Sequence, residues 1–348
     1  MGLAISEQTR LLRELLVHAA TFQSHVLHSL FLVAPDLLGV GSVFPLVATH
    51  PEVVKAALRL KALANDVGTL VSGRAVHPVS CVPGGFTSFP GASALRAVKA
   101  QIEGEGMRDL ALAVEVVASL AGRVPAFARE NEYISLKSGA EYAFYDGDIC
   151  SSDAGTVPVA QYREVTNEHI VPHSTAKHCR FHRSSYMVGA LARWNNNYRQ
   201  INGSGRAVAE KLGFSGPSNN PFANTVAQVV ETAHCVEEAL RILDLLLTRG
   251  LEEEKPNQSP TRYGQGVGAT EVPRGVLFHD YTYDRRGLIE KANCIIPTNQ
   301  NFASMDDDLK KLVPELVELP EKELTHRLEM LIRAYDPCIS CAVHVVRV

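Results

Sequence analysis

The stretch Asp336-Pro337-Cys338-Ile339-Ser340-Cys341-Ala342-Val343-His344 stands four residues from the end of the chain. A Cys-x-x-Cys pair brings two sulfurs close enough to chelate one metal, and thiolate is a soft donor suited to nickel, iron or zinc. Spacing alone leaves four readings open. Half of a structural zinc site is one, but such sites usually need a second pair, and no other Cys-x-x-Cys occurs here. A thioredoxin-like redox pair is another, although that motif normally opens a helix after a strand near the start of a fold. Two bystander thiols and a different kind of metal site are the others.

The rest of the chain narrows the setting. Its 348 residues are 46% hydrophobic and 21% charged, an ordinary globular composition. A formal net charge of −4 gives no basic footprint for nucleic acid or an anionic membrane. No stretch reads as a membrane span: the most apolar runs, such as 110–122, contain a charge (Glu115) and fall short of the roughly 20 residues required. The start of the chain has no charged segment followed by an apolar one, so secretion is not indicated. Seven cysteines, an odd number in so long a chain, argue against a disulfide framework and for a reducing cytoplasm.

Working outward, apolar residues recur at helical spacing from 6 to 33, closing at Pro35-Asp36. Further helices are expected at 51–67, with proline in the first turn, and at 92–104, 107–121, 224–249, 305–319 and 321–334. Ser304 and Asp307 have the spacing of a helix cap. Brief alternation at 133–136, 141–145 and 156–159 predicts one small sheet between the helical halves. The stretches 202–221 and 255–275 read as loops, the second unusually long. The fold class expected is mainly α, a multi-helix unit with a small β-sheet insertion, and residues 1–348 form a single domain.

Asp-Pro-Cys-x-x-Cys-x-x-His at a C-terminus resembles the second nickel-binding motif of nickel–iron hydrogenase large subunits. The similarity extends along nearly the whole chain. The segment Phe22-Gln23-Ser24-His25-Val26-Leu27-His28, closing at Pro35-Asp36, looks like the family helix that follows its first metal motif. Val76-His77-Pro78 with Pro83-Gly84-Gly85, Glu168-His169 with Ser174-Thr175-Ala176-Lys177, and Val188-Gly189-Ala190-Leu191-Ala192-Arg193 resemble further signatures. Glu271-Val272-Pro273-Arg274-Gly275 and Ile296-Pro297-Thr298-Asn299-Gln300-Asn301 complete the set in the family's order. The motifs resemble the soluble, cofactor-coupled type more than the membrane-bound uptake type.

The resemblance implies roles. Cys338 would be a terminal nickel ligand and Cys341 would bridge nickel to iron. Arg274 would overhang the metal pair as an always-charged forked donor, with Asp336 anchoring it through a charge-assisted hydrogen bond. Catalysis thus falls to Arg274, Asp336 and Cys338. Pro273, Leu277 and Thr298 would line the pocket for the iron's cyanide and carbon monoxide ligands. His344, at the maturation cleavage site, and the carbonyl of Cys294 would bind a magnesium ion, and only residues 345–348 would be removed. From the residues alone, Arg274 reads as a surface arginine in a tight turn and His344 as an exposed terminal histidine. The implied partners are an iron–sulfur small subunit, flavin- or NAD(P)-linked or other cofactor-reducing subunits, and maturation chaperones with an endopeptidase.

His169, His173, His178, Cys179 and His182 invite a zinc hypothesis, because histidines four apart share a helix face, although Pro172 spoils that presentation. In the family this region packs around the site without binding metal. His25 and His28, among apolar neighbours, read as satisfied core histidines, and Cys81, Cys150, Cys179 and Cys235 as structural. The family's first metal motif, Arg-x-Cys-Gly-x-Cys, has no counterpart ahead of the helix near Ser6, so this sequence offers half of the expected thiolates. A related non-catalytic component of an electron-transfer complex is therefore the second expectation.

Overall fold

A computed structural model describes residues 2–258 and 262–337. The described α-helices are α1 (Glu7–Val26), α2 (Ala34–Leu37), α3 (Phe44–Thr49), α4 (Pro51–Ser72), α5 (Ala92–Gln101), α6 (Met107–Leu120), α7 (Tyr162–Thr166), α8 (Ala190–Asn197), α9 (Gly203–Lys211), α10 (Ala223–Arg249), α11 (Pro297–Leu316) and α12 (Glu321–Ala334). The strands are β1 (Cys81–Val82), β2 (Gly85–Phe86), β3 (Glu132–Lys137), β4 (Asp148–Ser151), β5 (Gly155–Val157), β6 (Tyr186–Met187), β7 (Gly264–Val272), β8 (Gly275–Tyr283) and β9 (Ile289–Ile295).

Helix α1 starts where the Ser6 hydroxyl accepts the Thr9 N–H at 3.0 Å, with Glu7 in its first turn complementing the helix dipole. It buries Leu11, Leu12, Leu15, Ala19, Phe22 and Val26 against α4 and α10. The helix does not stop at Pro35. A π-helical segment, Leu27–Val33, carries it into α2, whose first turn accommodates the proline because an N–H there has no intrahelical partner anyway. The resulting run Glu7–Leu37 is long and apolar enough to cross a membrane, which corrects the expectation that no such stretch exists. Its most apolar window is 61% buried inside the protein, as a core helix would be.

Three apolar clusters organise the interior. The largest joins α1, α4, α5, α6 and α10. A second gathers α11 and α12 around Tyr133, Leu191 and Tyr335. The third lies between two sheets: Ile134, Leu136 and Ile149 from one meet Val276, Phe278 and Ile295 from the other.

The strand content exceeds the one small sheet expected. The order β5-β4-β3-β6 forms a four-stranded sheet, with β3 and β6 parallel. The stretch expected to be a loop ends in β7, and β7-β8-β9 is an antiparallel meander. Residues 141–145 form no strand, and 202–221 contains α9, capped by Asn202 on the Gly205 N–H. Helix α11 begins at Pro297, so Ser304 and Asp307 lie inside it rather than at its start.

In the meander, Val272 pairs with Gly275, which leaves Pro273 and Arg274 as the two-residue tip of the β7–β8 hairpin. Gly275 has φ +132°, and a Cβ there would stand 2.5 Å from Val188 Cγ2, so only glycine fits.

Candidate metal centre

Arg274 and Asp336, 62 residues apart in sequence, meet. Arg274 Nε donates to the Asp336 carbonyl at 2.8 Å, and Nη2 lies 3.0 Å from Asp336 Oδ1. Nη1 reaches the Ser24 hydroxyl of α1 at 3.5 Å. The arginine side chain is 25% exposed and the aspartate 1%. A buried carboxylate needs a charged partner, and Arg274 supplies it.

Asp336 is held from several sides. Its backbone sits at φ +51°, an uncommon left-handed conformation for a residue other than glycine, and its N–H donates to the Arg333 carbonyl at 2.8 Å. Its Oδ2 accepts from Gln228 Nε2 of α10 at 2.9 Å. The same amide's Oε1 lies 2.5 Å from His28 Nδ1, while His28 Nε2 lies 2.7 Å from the Arg333 carbonyl. Arg333 in turn grips Asp36 with two hydrogen bonds, 2.6 and 2.9 Å. The segment that ends at Pro337 is therefore tied to the start of the helical run and to α10.

The other face of Arg274 is backbone. Arg193 of α8, fully buried, donates from Nη1 to the Val272 carbonyl and from Nη2 to the Pro273 carbonyl, both at 3.0 Å. Its remaining N–H groups go to Glu231 Oε1 and Oε2 at 2.7 Å and to Glu271 Oε2 at 2.8 Å. Glu231 also accepts from His25 and from the Tyr142 hydroxyl, each at 2.7 Å. The Phe144 ring lies under the guanidinium, 5.0 Å from its centre. Burial pulls Glu231 upward, but the paired Arg193 outweighs it and brings the carboxyl to about 2. Burial wins at Glu271, which is lifted to about 7 against the pull of Arg193. His25 is satisfied at one nitrogen, and its Nδ1 has no partner among the described residues.

The other sequence candidates scatter around this pair. Pro273 is the first residue of the hairpin tip, and half-buried Leu277 pairs with Thr270 on β7. Thr298 is half-buried in the first turn of α11. Cys294 is exposed on β9, opposite His279, with its sulfur 3.4 Å from both His279 Nδ1 and the Tyr281 hydroxyl. Cys338, Cys341 and His344 lie outside the described residues. The described end of the chain thus carries a fixed guanidinium and a buried carboxylate whose Oδ1 has no aligned hydrogen-bond donor among the described residues.

The histidine-rich loop is not helical. His169 and His178 form an isolated antiparallel bridge. His173 Nε2 lies 2.7 Å from Asp306 Oδ2, and His178 Nε2 lies 3.8 Å from the same oxygen. Cys179 is fully buried and accepts a hydrogen bond from Asn299 instead of joining the histidines, and burial pushes its thiol up to about 12. The acidic partner is thus Asp306 from α11, which sequence reading did not associate with this loop.

Sequence reading also passed over Glu231 and Gln228, and it named Glu271 only as part of a motif, with no role. The signal was present: Glu231 interrupts an apolar helical stripe between Val230 and Ala233, where an unpaired carboxylate would be expensive.

Residues 122–344 match the family model described as nickel-dependent hydrogenase. The chain is 31% identical to the alpha chain of sulfhydrogenase 1 from Pyrococcus furiosus, over 100% of this chain and 80% of that protein. It is 28% identical to an F420-non-reducing hydrogenase subunit from Methanothermobacter marburgensis, over 96% of this chain and 76% of the relative. A crystal structure of NAD+-reducing [NiFe]-hydrogenase in the H2-reduced state superposes with a TM-score of 0.85 at 24% identity, covering 98% of this chain and 81% of that one, a likeness of fold. With its hairpin arginine locked onto the aspartate of the C-terminal motif, the chain belongs to the nickel-dependent hydrogenase family as a large-subunit member.

Proposed function

We propose that this chain is the catalytic large subunit of a nickel–iron hydrogenase, interconverting dihydrogen with two protons and two electrons. The observation that carries the reading is the Arg274–Asp336 pair, set two residues before Cys338. The thiolates of Cys338 and Cys341 would supply two of the four thiolates such a metal pair needs, and Pro273, Leu277 and Thr298 would line the pocket for the cyanide and carbon monoxide on iron. When bound, such a pair supplies the Lewis-acid site at which dihydrogen is split heterolytically.

The chain's own residues do the rest. Arg274 presents a flat, rigid fork of donors. The Asp336 carbonyl accepts from Nε and its carboxylate forms an ion pair with Nη2, which together restrain that fork. A guanidinium held this way pays no reorganisation when charge develops in front of it. The Cys338 thiolate is the candidate proton acceptor, and the Arg274 guanidinium, which has no acceptor lone pair, acts as a hydrogen-bond donor. His344 and the Cys294 carbonyl would hold magnesium.

The relatives are themselves named as hydrogenase subunits, which supports a chain that works inside a complex. An iron–sulfur small subunit would carry electrons away, passing them to flavin- or NAD(P)-linked or other cofactor-reducing subunits. Maturation chaperones with an endopeptidase would load the metals, in the cytoplasm, and the chain would act as one domain.

The test is metal content. Residues 1–348 together with a segment that supplies the family's other two thiolates, co-expressed with the small subunit plus maturation factors, are expected to carry nickel and iron and to reduce a dye with dihydrogen. Cys341→Ser should lose both metals. Metal-free wild-type protein under those conditions would instead mean a structural role.

A further inference from the structure

We infer that Arg193 is a positioning residue for Arg274: buried in α8, it sets the height and orientation of the hairpin tip from which the Arg274 guanidinium reaches Asp336. The inference rests on the reading that Arg274 works at the metal pair. Its structural part stands without it.

Two-residue hairpins favour turns in which the first tip residue has positive φ, because those turns follow the natural twist of the strands. Proline cannot supply that, since its ring holds φ near −65°. Neither Pro273 nor Arg274 has positive φ. Proline at the first tip position and glycine after the second suit a type I turn, but such a turn splays the strands it joins, so something outside the tip must hold the hairpin together.

Arg193 is that support. A guanidinium has five N–H donors in a fixed fork. Here each finds an acceptor: two oxygens of Glu231, one of Glu271, and the carbonyls of Val272 and Pro273. The carboxylates bind the fork to α10 and β7, and the two carbonyls are the last backbone acceptors before Arg274. Gly189, just ahead of α8, closes the arrangement, since a Cβ there would lie 3.3 Å from the Arg274 carbonyl oxygen. Asp336 thus fixes the head of Arg274 while Arg193 fixes its root. Lysine, with three donors on a single nitrogen, cannot span this set.

The experiment uses the matured complex with Arg193→Lys, Arg274→Lys and the double variant, and Glu271→Gln as a second probe. Arg193→Lys is expected to retain nickel and its apparent KM for dihydrogen while kcat falls roughly 100-fold, the penalty of misplacing a reacting group by about 1 Å. The double variant should be no slower than Arg274→Lys alone. Amide hydrogen exchange should rise in the peptide 271–276 before any other segment. Glu271→Gln, which keeps the fork but removes one charged anchor, should show the same local rise with a smaller loss of kcat, and it carries the test if Arg193→Lys does not fold. Exchange that rises uniformly along the chain, or single-variant losses that multiply in the double variant, would overturn the proposal. An Arg274→Lys enzyme as fast as wild type would refute the functional reading, and the exchange pattern would still decide whether Arg193 holds the tip.

Discussion

Replacing Glu231 by glutamine removes one negative charge from a site with no solvent access and leaves the volume nearly unchanged. Four hydrogen bonds converge on this carboxylate, two from Arg193 and one each from His25 and Tyr142. The amide can accept at only one end, so an Arg193 donor then faces an NH2 group, and Glu271 becomes the guanidinium's sole buried counter-charge. Breaking one half of a buried ion pair typically costs about 3–5 kcal/mol, because the surviving charge keeps its desolvation penalty. Unfolding entropy of about 2.1 cal/mol/K per residue gives roughly 0.7 kcal/mol/K for a chain of this length. The melting temperature of the full chain should therefore fall by roughly 4–7 °C, as read by differential scanning calorimetry. Glu115→Gln provides the scale: its pairing with Lys211 is exposed, and losing it should cost under about 1 kcal/mol. If Glu231→Gln melts within a degree of Glu115→Gln, the network is not the stabilising charge cluster described above.

Other outcomes follow from single features. Gly275→Ala should cost roughly 2–5 kcal/mol, since the new Cβ meets Val188 and the Gly189 nitrogen at a φ that alanine resists. Gly266→Ala, with open space around it, should be neutral or mildly stabilising; equal losses in calorimetry would refute the steric account. Burial holds His18 at about 3 against an ordinary 6.5, so below 6.5 the unfolded chain takes up a proton that the folded chain refuses. Stability must then fall as pH drops from 6.5 toward 3, by about 2 kcal/mol from this group at pH 5. In His18→Phe the drop in melting temperature between pH 7 and pH 5 should shrink by about 3 °C, and an unchanged drop would exclude His18 as its source. Iodoacetamide at pH 8 should label exposed Cys294 and spare Cys179 and Cys235, whose thiols burial raises far above that pH. Peptide mapping that finds Cys235 modified first would contradict this.

What could be read from the sequence follows the strength of local pattern. Helix α12 has the bounds expected, because apolar residues recur at helical spacing between Pro320 and Tyr335. Helix α11 starts earlier than expected, since Thr298, Asn299 and Gln300 carry no apolar stripe and only Pro297 marks the start. The meander was hidden for a different reason. Strand β7 opens with Gly264, Gly266 and Gly268, a composition that strands usually avoid, and most of β9 is exposed, with Glu290-Lys291 interrupting any apolar alternation. The Arg274–Asp336 contact was expected from the family motifs, not from local chemistry, for nothing near either residue points across 62 positions. Arg193 appeared only as the last letter of one such motif. Its partners lie 38 and 78 residues further on, and a network of that kind is invisible until the chain is folded.

The π-helical segment between α1 and α2 has a consequence for how this protein can change. A helix with one surplus residue in a widened turn has two halves out of phase, and here each half has its own obligation. His25, before the segment, meets Glu231, whereas Asp36, after it, meets Arg333. Deleting one residue from Leu27–Val33 would restore a regular ladder and satisfy local preference. It would also swing Asp36 by about 100° around the axis, one residue's rotation at 3.6 per turn, away from Arg333. The irregular turn works as a clutch between two buried contacts, so lineages of this chain should tolerate substitution in that turn far better than any change in its length.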